Sequence, residues 1–251
     1  MTPSIDLNCD MGEGEPSDPL IMPLVTSANI ACGFHASDPQ TMRRTVRLAR
    51  QHGVAIGAHP SYPDRAGFGR RFLAASPDEV RDDVTYQIGA LWAFCRAEGA
   101  RLGHVKAHGA LYNAAANDRD LARAVCEAAR AVDPALAVVC LARSPMAEVA
   151  RGLGVPCMEE AFADRAYTAA GTLVSRRTPG AVIEDAAEVA ERVSIMVREK
   201  RVLAVDGASV PLEAQTICVH GDTPGAERLV AAIRARLDAD GVAIRPFTRM
   251  G

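Results

Sequence analysis

The sequence predicts an α/β fold: a parallel sheet with helical crossovers, folded as one domain over residues 1–251. Three observations support this. Short apolar runs of strand length alternate with longer segments of helical period. Most of those runs are continuously apolar, as strands buried on both faces are. The residues just after them are repeatedly polar. Pattern alone separates a barrel poorly from a doubly wound sheet, but the polar residues after the runs favour the barrel, whose strand ends converge on one face.

Strands are expected at 4–8, 28–31, 54–58, 103–107, 136–141, 155–158 and 216–219, the first of which, Ser-Ile-Asp-Leu-Asn, alternates. Asp38-Pro39 has the chemistry to cap and start a helix that stops near His52-Gly53. Ser76-Pro-Asp-Glu79 is a capping box, and the apolar residues Val80, Val84, Ile88, Leu91 and Cys95 behind it fall on one stripe. Val182, Ala186, Val189, Val193 and Met196 repeat at helical spacing. So do Leu229, Val230, Ile233 and Leu237, introduced by Thr223-Pro224. Residues 201–213 read as a small hairpin turning at Asp206-Gly207. No Pro/Ser-rich linker or internal repeat divides these units.

Composition narrows the function. With 251 residues, 49% hydrophobic and 24% charged, the chain can bury a substantial core and is not expected to be disordered. A net charge of −3 with 4% aromatic residues lacks the basic, stacking surface of a nucleic-acid binder. The first residues lack the features of a secretory signal, and the longest apolar run, 135–142, is too short to span a bilayer. Seven cysteines without a C-x-x-C pair read as reduced, buried thiols of a cytoplasmic protein and argue against a cysteine zinc site. Only Lys106 and Lys200 among 28 basic residues are lysine. A GC-rich genome explains the bias, yet a retained lysine marks a place where arginine does not substitute.

Chemistry collects after the strands. Asn8, Asp10 and Glu13 follow the first, His35 the second, His59 the third, and Lys106 and His108 come with the fourth. Glu159, Glu160, Asp164 and Arg165 follow the sixth, and His220 and Asp222 the seventh. His52 is instead expected at a helix end, and His104 at the start of a strand. Singly, a strand-end histidine is more often a satisfied structural residue than a catalytic one. The convergence of carboxylates, histidines and a lysine on one face favours an enzyme.

Asp10 with His35 and His59 matches a carboxylate–two-histidine site for a divalent metal with open positions. The metal-free alternative uses one of these as general base and Lys106 as an electrostatic clamp. Spacing does not choose between them; for Lys106 a cation facing a substrate carboxylate or phosphate is the stronger reading and a plain buried ion pair with Asp10 the weaker. The Pro- and Gly-rich loop 60–71 carries Arg65, Arg70 and Arg71, which suit an anion-binding lid or a solvated loop equally well. There is no P-loop, no strand-linked G-x-G-x-x-G and no G-x-S-x-G elbow. Cys9 and Cys32 lie next to this face, but strand packing explains them better than nucleophilic catalysis.

Six blocks together resemble one family. They are Asp6-Leu-Asn-Cys-Asp-Met-Gly-Glu-Gly, Asn29-Ile-Ala-Cys-Gly-Phe-His-Ala-Ser-Asp, Gly57-Ala-His-Pro-Ser-Tyr-Pro-Asp, Val105-Lys-Ala-His-Gly-Ala-Leu-Tyr, Glu160-Ala-Phe-Ala-Asp-Arg-Ala-Tyr and Cys218-Val-His-Gly-Asp. In order, they resemble the LamB/YcsF family of lactam utilisation proteins, the A subunits of bacterial 5-oxoprolinase. The resemblance runs from residue 6 to residue 225. It implies a distorted seven-stranded β/α (TIM-like) barrel related to glycoside hydrolases and polysaccharide deacetylases. It also implies ATP-dependent opening of 5-oxo-L-proline to L-glutamate together with B and C subunits, the lactam being phosphorylated and then hydrolysed.

Mapped onto these motifs, the catalytic shell would be Asp10, His35, His59, Lys106, His108 and His220. Asp6, Asn8, Glu13, Asp164, Arg165 and Asp222 would support it. Ser37 departs from the family pattern, which has glycine there. Two other functions remain compatible with the residues: a stand-alone metal-dependent deacetylase or amidase, and a non-catalytic subunit of the complex.

Overall fold

The computed structural model describes residues 3–247 except 177, 222 and 224. Its centre is the expected barrel. Seven parallel strands close on themselves: β1 (Ser4–Met11), β2 (Ser27–Ala31), β3 (Ala55–His59), β4 (Leu102–Val105), β5 (Ala137–Leu141), β6 (Cys157–Phe162) and, after a hairpin, β9 (Thr216–Cys218). Closure is made by β9, which pairs with β6 on one side and with β1 on the other, Asp6 opposite Thr216 and Asn8 opposite Cys218. The hairpin, β7 (Arg201–Leu203) with β8 (Ser209–Pro211), is antiparallel and stands outside the barrel, as its Asp-Gly turn predicts. A short β10 (Ala243–Ile244) adds to the start of β1.

Among the described residues eight α-helices accompany the strands: α1 (Asp18–Ile21), α2 (Pro39–His52), α3 (Pro77–Ala97), α4 (Gly109–Ala115), α5 (Arg119–Val132), α6 (Pro145–Gly152), α7 (Ala186–Glu199) and α8 (Ala226–Ala239). Their ends are chemically specified. The Asp38 carboxylate accepts from Thr41 N at 2.8 Å, and Gly53 ends α2 in the left-handed region. The capping box of α3 is complete, with Ser76 N donating to Glu79 Oε2 at 2.8 Å and Glu79 N to Ser76 Oγ at 3.3 Å.

Four boundaries differ from expectation by two residues or more; the fourth strand ends at Val105 rather than at 107, so Lys106 follows it. β1 runs to Met11 rather than stopping at Asn8, so Asn8 and Asp10 are strand residues. The sixth strand is shifted from 155–158 to Cys157–Phe162, because Val155 N is taken by Ala150 O in the turn closing α6. Glu159 and Glu160 therefore lie within it. Val182 is not helical: it bridges Arg165, and α7 begins only after Asp185, whose side chain accepts from Glu188 N. Pro224, expected to introduce the last helix, lies outside the described residues.

The alternation of β1 explains how the barrel is filled. Ile5, Leu7, Cys9 and Met11 are buried among the apolar residues that join strands to helices. Asp6, Asn8 and Asp10 alternate with them and join side chains of other strands. The lumen is polar and extensively hydrogen-bonded: Asp6 accepts from the hydroxyls of Thr26 (2.7 Å), Ser27 (2.7 Å) and Thr216 (2.5 Å). Asn8 Nδ2 donates to Glu160 Oε1 at 2.9 Å and Thr216 Oγ1 at 2.6 Å, and Asn29 Nδ2 donates to Asn8 Oδ1 and Asp10 Oδ1 at 2.8 Å each. This network points upward to the strand ends. The seven cysteines are free thiols, and no helix among the described residues is long and apolar enough to cross a membrane.

Candidate functional site

The carboxyl ends of the strands surround a cavity of about 730 Å³ whose lining includes Asp10, Glu13, His59, Lys106, His108 and His220. A larger groove of about 1020 Å³ between the loop before α1 and α2 contains none of them. Lys106 follows β4, its N–H tied to Ala58 O at 2.9 Å. Its ammonium lies 2.9 Å from Glu160 Oε1, 3.1 Å from Asp10 Oδ1, 3.3 Å from Asn8 Oδ1 and 3.1 Å from Cys218 Sγ. Phe162 places its ring 5.4 Å from the same nitrogen. Burial opposes the charge, but Asp10 and Glu160 outweigh it and hold Lys106 well above its ordinary value. Burial likewise works against the Asp10 carboxylate, while His59 and Lys106 pull it well below the usual range. Both are therefore ionised at neutral pH.

Glu13, from the loop after β1, reaches the histidines. Its Oε1 is 2.8 Å from His35 Nε2, 3.2 Å from His108 Nδ1 and 3.7 Å from His59 Nε2. Burial disfavours its charge, but the neighbouring His108 and His35 side chains prevail and lower it well below the carboxylate range. His35 and His108 stack with centroids 3.8 Å apart, and burial pushes His35 down to about 4. Ligand atoms of Glu13, His35, His59 and His108 all lie within 4.8 Å of one another, so this cluster could hold a metal ion. The carboxylate grouped with the histidines is thus Glu13 rather than Asp10. Asp10 Oδ2 touches His59 Nε2 at 3.3 Å, but its other oxygen is committed to Lys106 and Asn29.

Across the mouth, His220 Nδ1 meets Asp164 Oδ1 at 2.8 Å and stacks on Phe162 with centroids 5.4 Å apart. Burial opposes the Asp164 charge, yet His220 more than compensates and lowers its pKa. Asp222, expected beside this pair, lies outside the described residues.

The structure separates the remaining expected residues. Asp6 sits deeper in the lumen, bonded only to hydroxyls and raised by burial to about 6. Arg71 is bound to Asp64, and Arg65 donates to Gly33 O and Ser37 O; both brace the loop 60–71 instead of presenting a free cation. Arg70 lines the cavity, its guanidinium 4.9 Å over Phe68. Arg165 also lines it while bracing the following loop through Val174 O at 2.6 Å. Cys9 and Cys32 are buried, with burial raising both thiols, Cys32 to about 12; that leaves them packing residues.

Glu160 and Tyr112, whose hydroxyl donates to Glu160 Oε2 at 2.9 Å, stand outside the shell expected from the motifs. The signal for Glu160 was available: it is a carboxylate inside an apolar run, two residues before an aromatic, at the phase that faces the lumen.

The LamB/YcsF family matches residues 5–251. The A subunit of 5-oxoprolinase from Pyrococcus furiosus is 52% identical over 248 residues, covering 97% of each chain. The crystal structure of the lactam utilization protein from Thermus thermophilus superposes with a TM-score of 0.92 at 48% identity, covering 97% of this chain and 100% of that one. The T48 deacetylase, at 13% identity and a TM-score of 0.52 over 100% of this chain and 94% of its own, shares the fold alone. With the barrel, the blocks around its mouth and these likenesses in agreement over nearly the full length, the chain belongs to the LamB/YcsF family.

Proposed function

We propose that the chain is the A subunit of a cytoplasmic 5-oxoprolinase, acting with B and C subunits to open 5-oxo-L-proline to L-glutamate at the expense of ATP. Relatives of half-identical sequence are named as A subunits of 5-oxoprolinase. The observation that carries the reading is the buried Lys106, held ionised between Asp10 and Glu160 at the floor of a cavity that Arg70 and Arg165 also line. A small substrate bearing a carboxylate, and an ATP-derived phosphate on its lactam oxygen, require fixed cations of this kind. Water adds to the carbon bearing the phosphorylated oxygen and the amide C–N bond breaks, a proton going to the departing nitrogen. A second water then hydrolyses the resulting acyl phosphate, releasing inorganic phosphate and leaving the carboxylate of glutamate. Asp10, kept deprotonated, accepts the proton of the attacking water. His220, oriented by Asp164, delivers the proton to nitrogen.

The test is glutamate formation from 5-oxoproline and ATP by the purified chain, with and without its partner subunits. Turnover only in the reconstituted complex with ATP is expected, and its absence there overturns the reading. The Glu13–histidine cluster favours one other function, a stand-alone metal-dependent deacetylase or amidase. Activity without ATP or partners would select it.

A further inference from the structure

We propose that Glu13, His59 and His108, with His35 beside them, bind one divalent transition-metal ion of the zinc type at the barrel mouth. The inventory of ring hydrogens requires a cation there, independently of the 5-oxoprolinase reading. His59 Nδ1 lies 2.7 Å from the carbonyl oxygen of Lys106. A carbonyl only accepts, so this nitrogen carries the hydrogen, and the neutral ring presents a bare lone pair at Nε2. His108 is arranged the other way round. Its Nε2 lies 2.9 Å from Phe68 O, which leaves the lone pair on Nδ1.

These two lone pairs face each other at 3.0 Å, and Glu13 Oε1 stands 3.2 Å from one and 3.7 Å from the other. Three electron-rich atoms converge where the neutral rings have no hydrogen to share, so a cation belongs between them. One added proton serves only one nitrogen, at contacts of 3.0 Å or longer. An ion with ligands at about 2.0–2.2 Å serves all three, and neighbouring ligand atoms around it are then roughly 3–3.5 Å apart.

The surroundings are those that metal-binding histidines use. Each of His59 and His108 gives its second ring nitrogen to a backbone carbonyl, which fixes tautomer and orientation. His108 is further anchored by its N–H to Pro60 O at 2.8 Å. Gly69 lies so close that a Cβ there would press on His108 and His35. His35 Nδ1 is buried without a partner, which makes His35 the least braced of the four. The mixed N/O donor set suits zinc, cobalt(II) or manganese(II) better than calcium or magnesium.

The chain, stripped with a chelator and titrated with Co(II) and with Zn(II), tests this directly. One ion per chain by elemental analysis, with a Co(II) visible spectrum displaced by Zn(II), is expected. Glu13→Gln and His108→Ala should each weaken binding at least tenfold, whereas His52→Ala, at the end of α2, should leave it unchanged. Glu13→Gln preserves shape, so its folding can be verified by circular dichroism alongside the titration. No saturable site in the wild-type chain, or undiminished affinity in a folded Glu13→Gln variant, overturns the inference. Neither result bears on glutamate formation.

Discussion

Glu160 Oε1 lies 2.9 Å from Lys106 Nζ, and both side chains are withdrawn from water. Asp10 shares the same ammonium at 3.1 Å, so one cation balances two buried carboxylates drawn from opposite sides of the barrel closure. Removing that cation leaves like charges facing each other in a region of low dielectric. Lys106→Met is expected to lower stability by about 3–5 kcal/mol, read by urea unfolding. Lys106→Met combined with Glu160→Gln should recover part of the loss. A single variant within about 1 kcal/mol of wild type would show that the lumen is wetter than its burial implies.

Asp164 acts on His220 by holding Nδ1–H, which leaves Nε2 as the nitrogen available to the cavity. Asp164→Asn keeps the shape but no longer favours that tautomer. Turnover of the reconstituted complex should fall on the order of 10²–10⁴-fold with KM changed far less. An unchanged kcat would remove His220 from the proton-transfer role.

How far these relationships were legible in the sequence depends on strand phase. The period-two pattern of Ser4–Asn8 was visible, but ending it at Asn8 placed Asp10 in a loop, whereas the alternation continues to Met11 and turns Asp10 into the lumen. The shift of the sixth strand from 155–158 to Cys157–Phe162 likewise turns Glu160 from a residue that follows the strand into a lumen residue, whose partner Lys106 is 54 positions away in sequence. The blocks place these residues after the strands; that Glu13 reaches all three histidines while Asp10 meets His59 depends on how the loop after β1 folds back. The arginines of loop 60–71 looked alike in sequence. Three-dimensional neighbours, Asp64 for Arg71 and backbone carbonyls for Arg65, make those two braces of the loop, while Arg70 lines the cavity.

His104 gives a pH signature. It is buried against Gly57, where a Cβ would overlap its imidazole, and its Nε2–H donates to Asn29 Oδ1 at 2.8 Å. Burial, helped by the charge of Lys106, lowers it to about 3. The folded protein thus keeps His104 neutral while the unfolded chain protonates it near 6.5. Its contribution is fully present above about 6.5 and is lost as pH falls toward 3. His104→Gln should flatten the dependence of unfolding free energy on pH across that window by up to one proton, measured by urea unfolding at stepped pH. An unaltered slope would mean that the ring titrates normally in the fold.

Ser37 tests backbone strain. Its φ is +75°, in the region where a side chain crowds the backbone, and its carbonyl accepts from Arg65 Nη1 at 2.9 Å, so the turn is pinned from both sides. A left-handed conformation costs an L-residue about 1–2 kcal/mol. Glycine removes that strain but gives back roughly 0.5–1 kcal/mol through the greater freedom of its unfolded chain. Ser37→Gly should therefore leave stability unchanged or raise it by up to about 1 kcal/mol, whereas Ser37→Val should lower it, since a branched side chain is worst tolerated there. Because the Ser37 hydroxyl reaches only Asp38 O, at 3.4 Å, neither its loss nor the relaxed turn removes a contact to the cavity. Thermal unfolding of the two variants side by side decides the matter, and a Ser37→Gly protein that melts below Ser37→Val would contradict the strain argument.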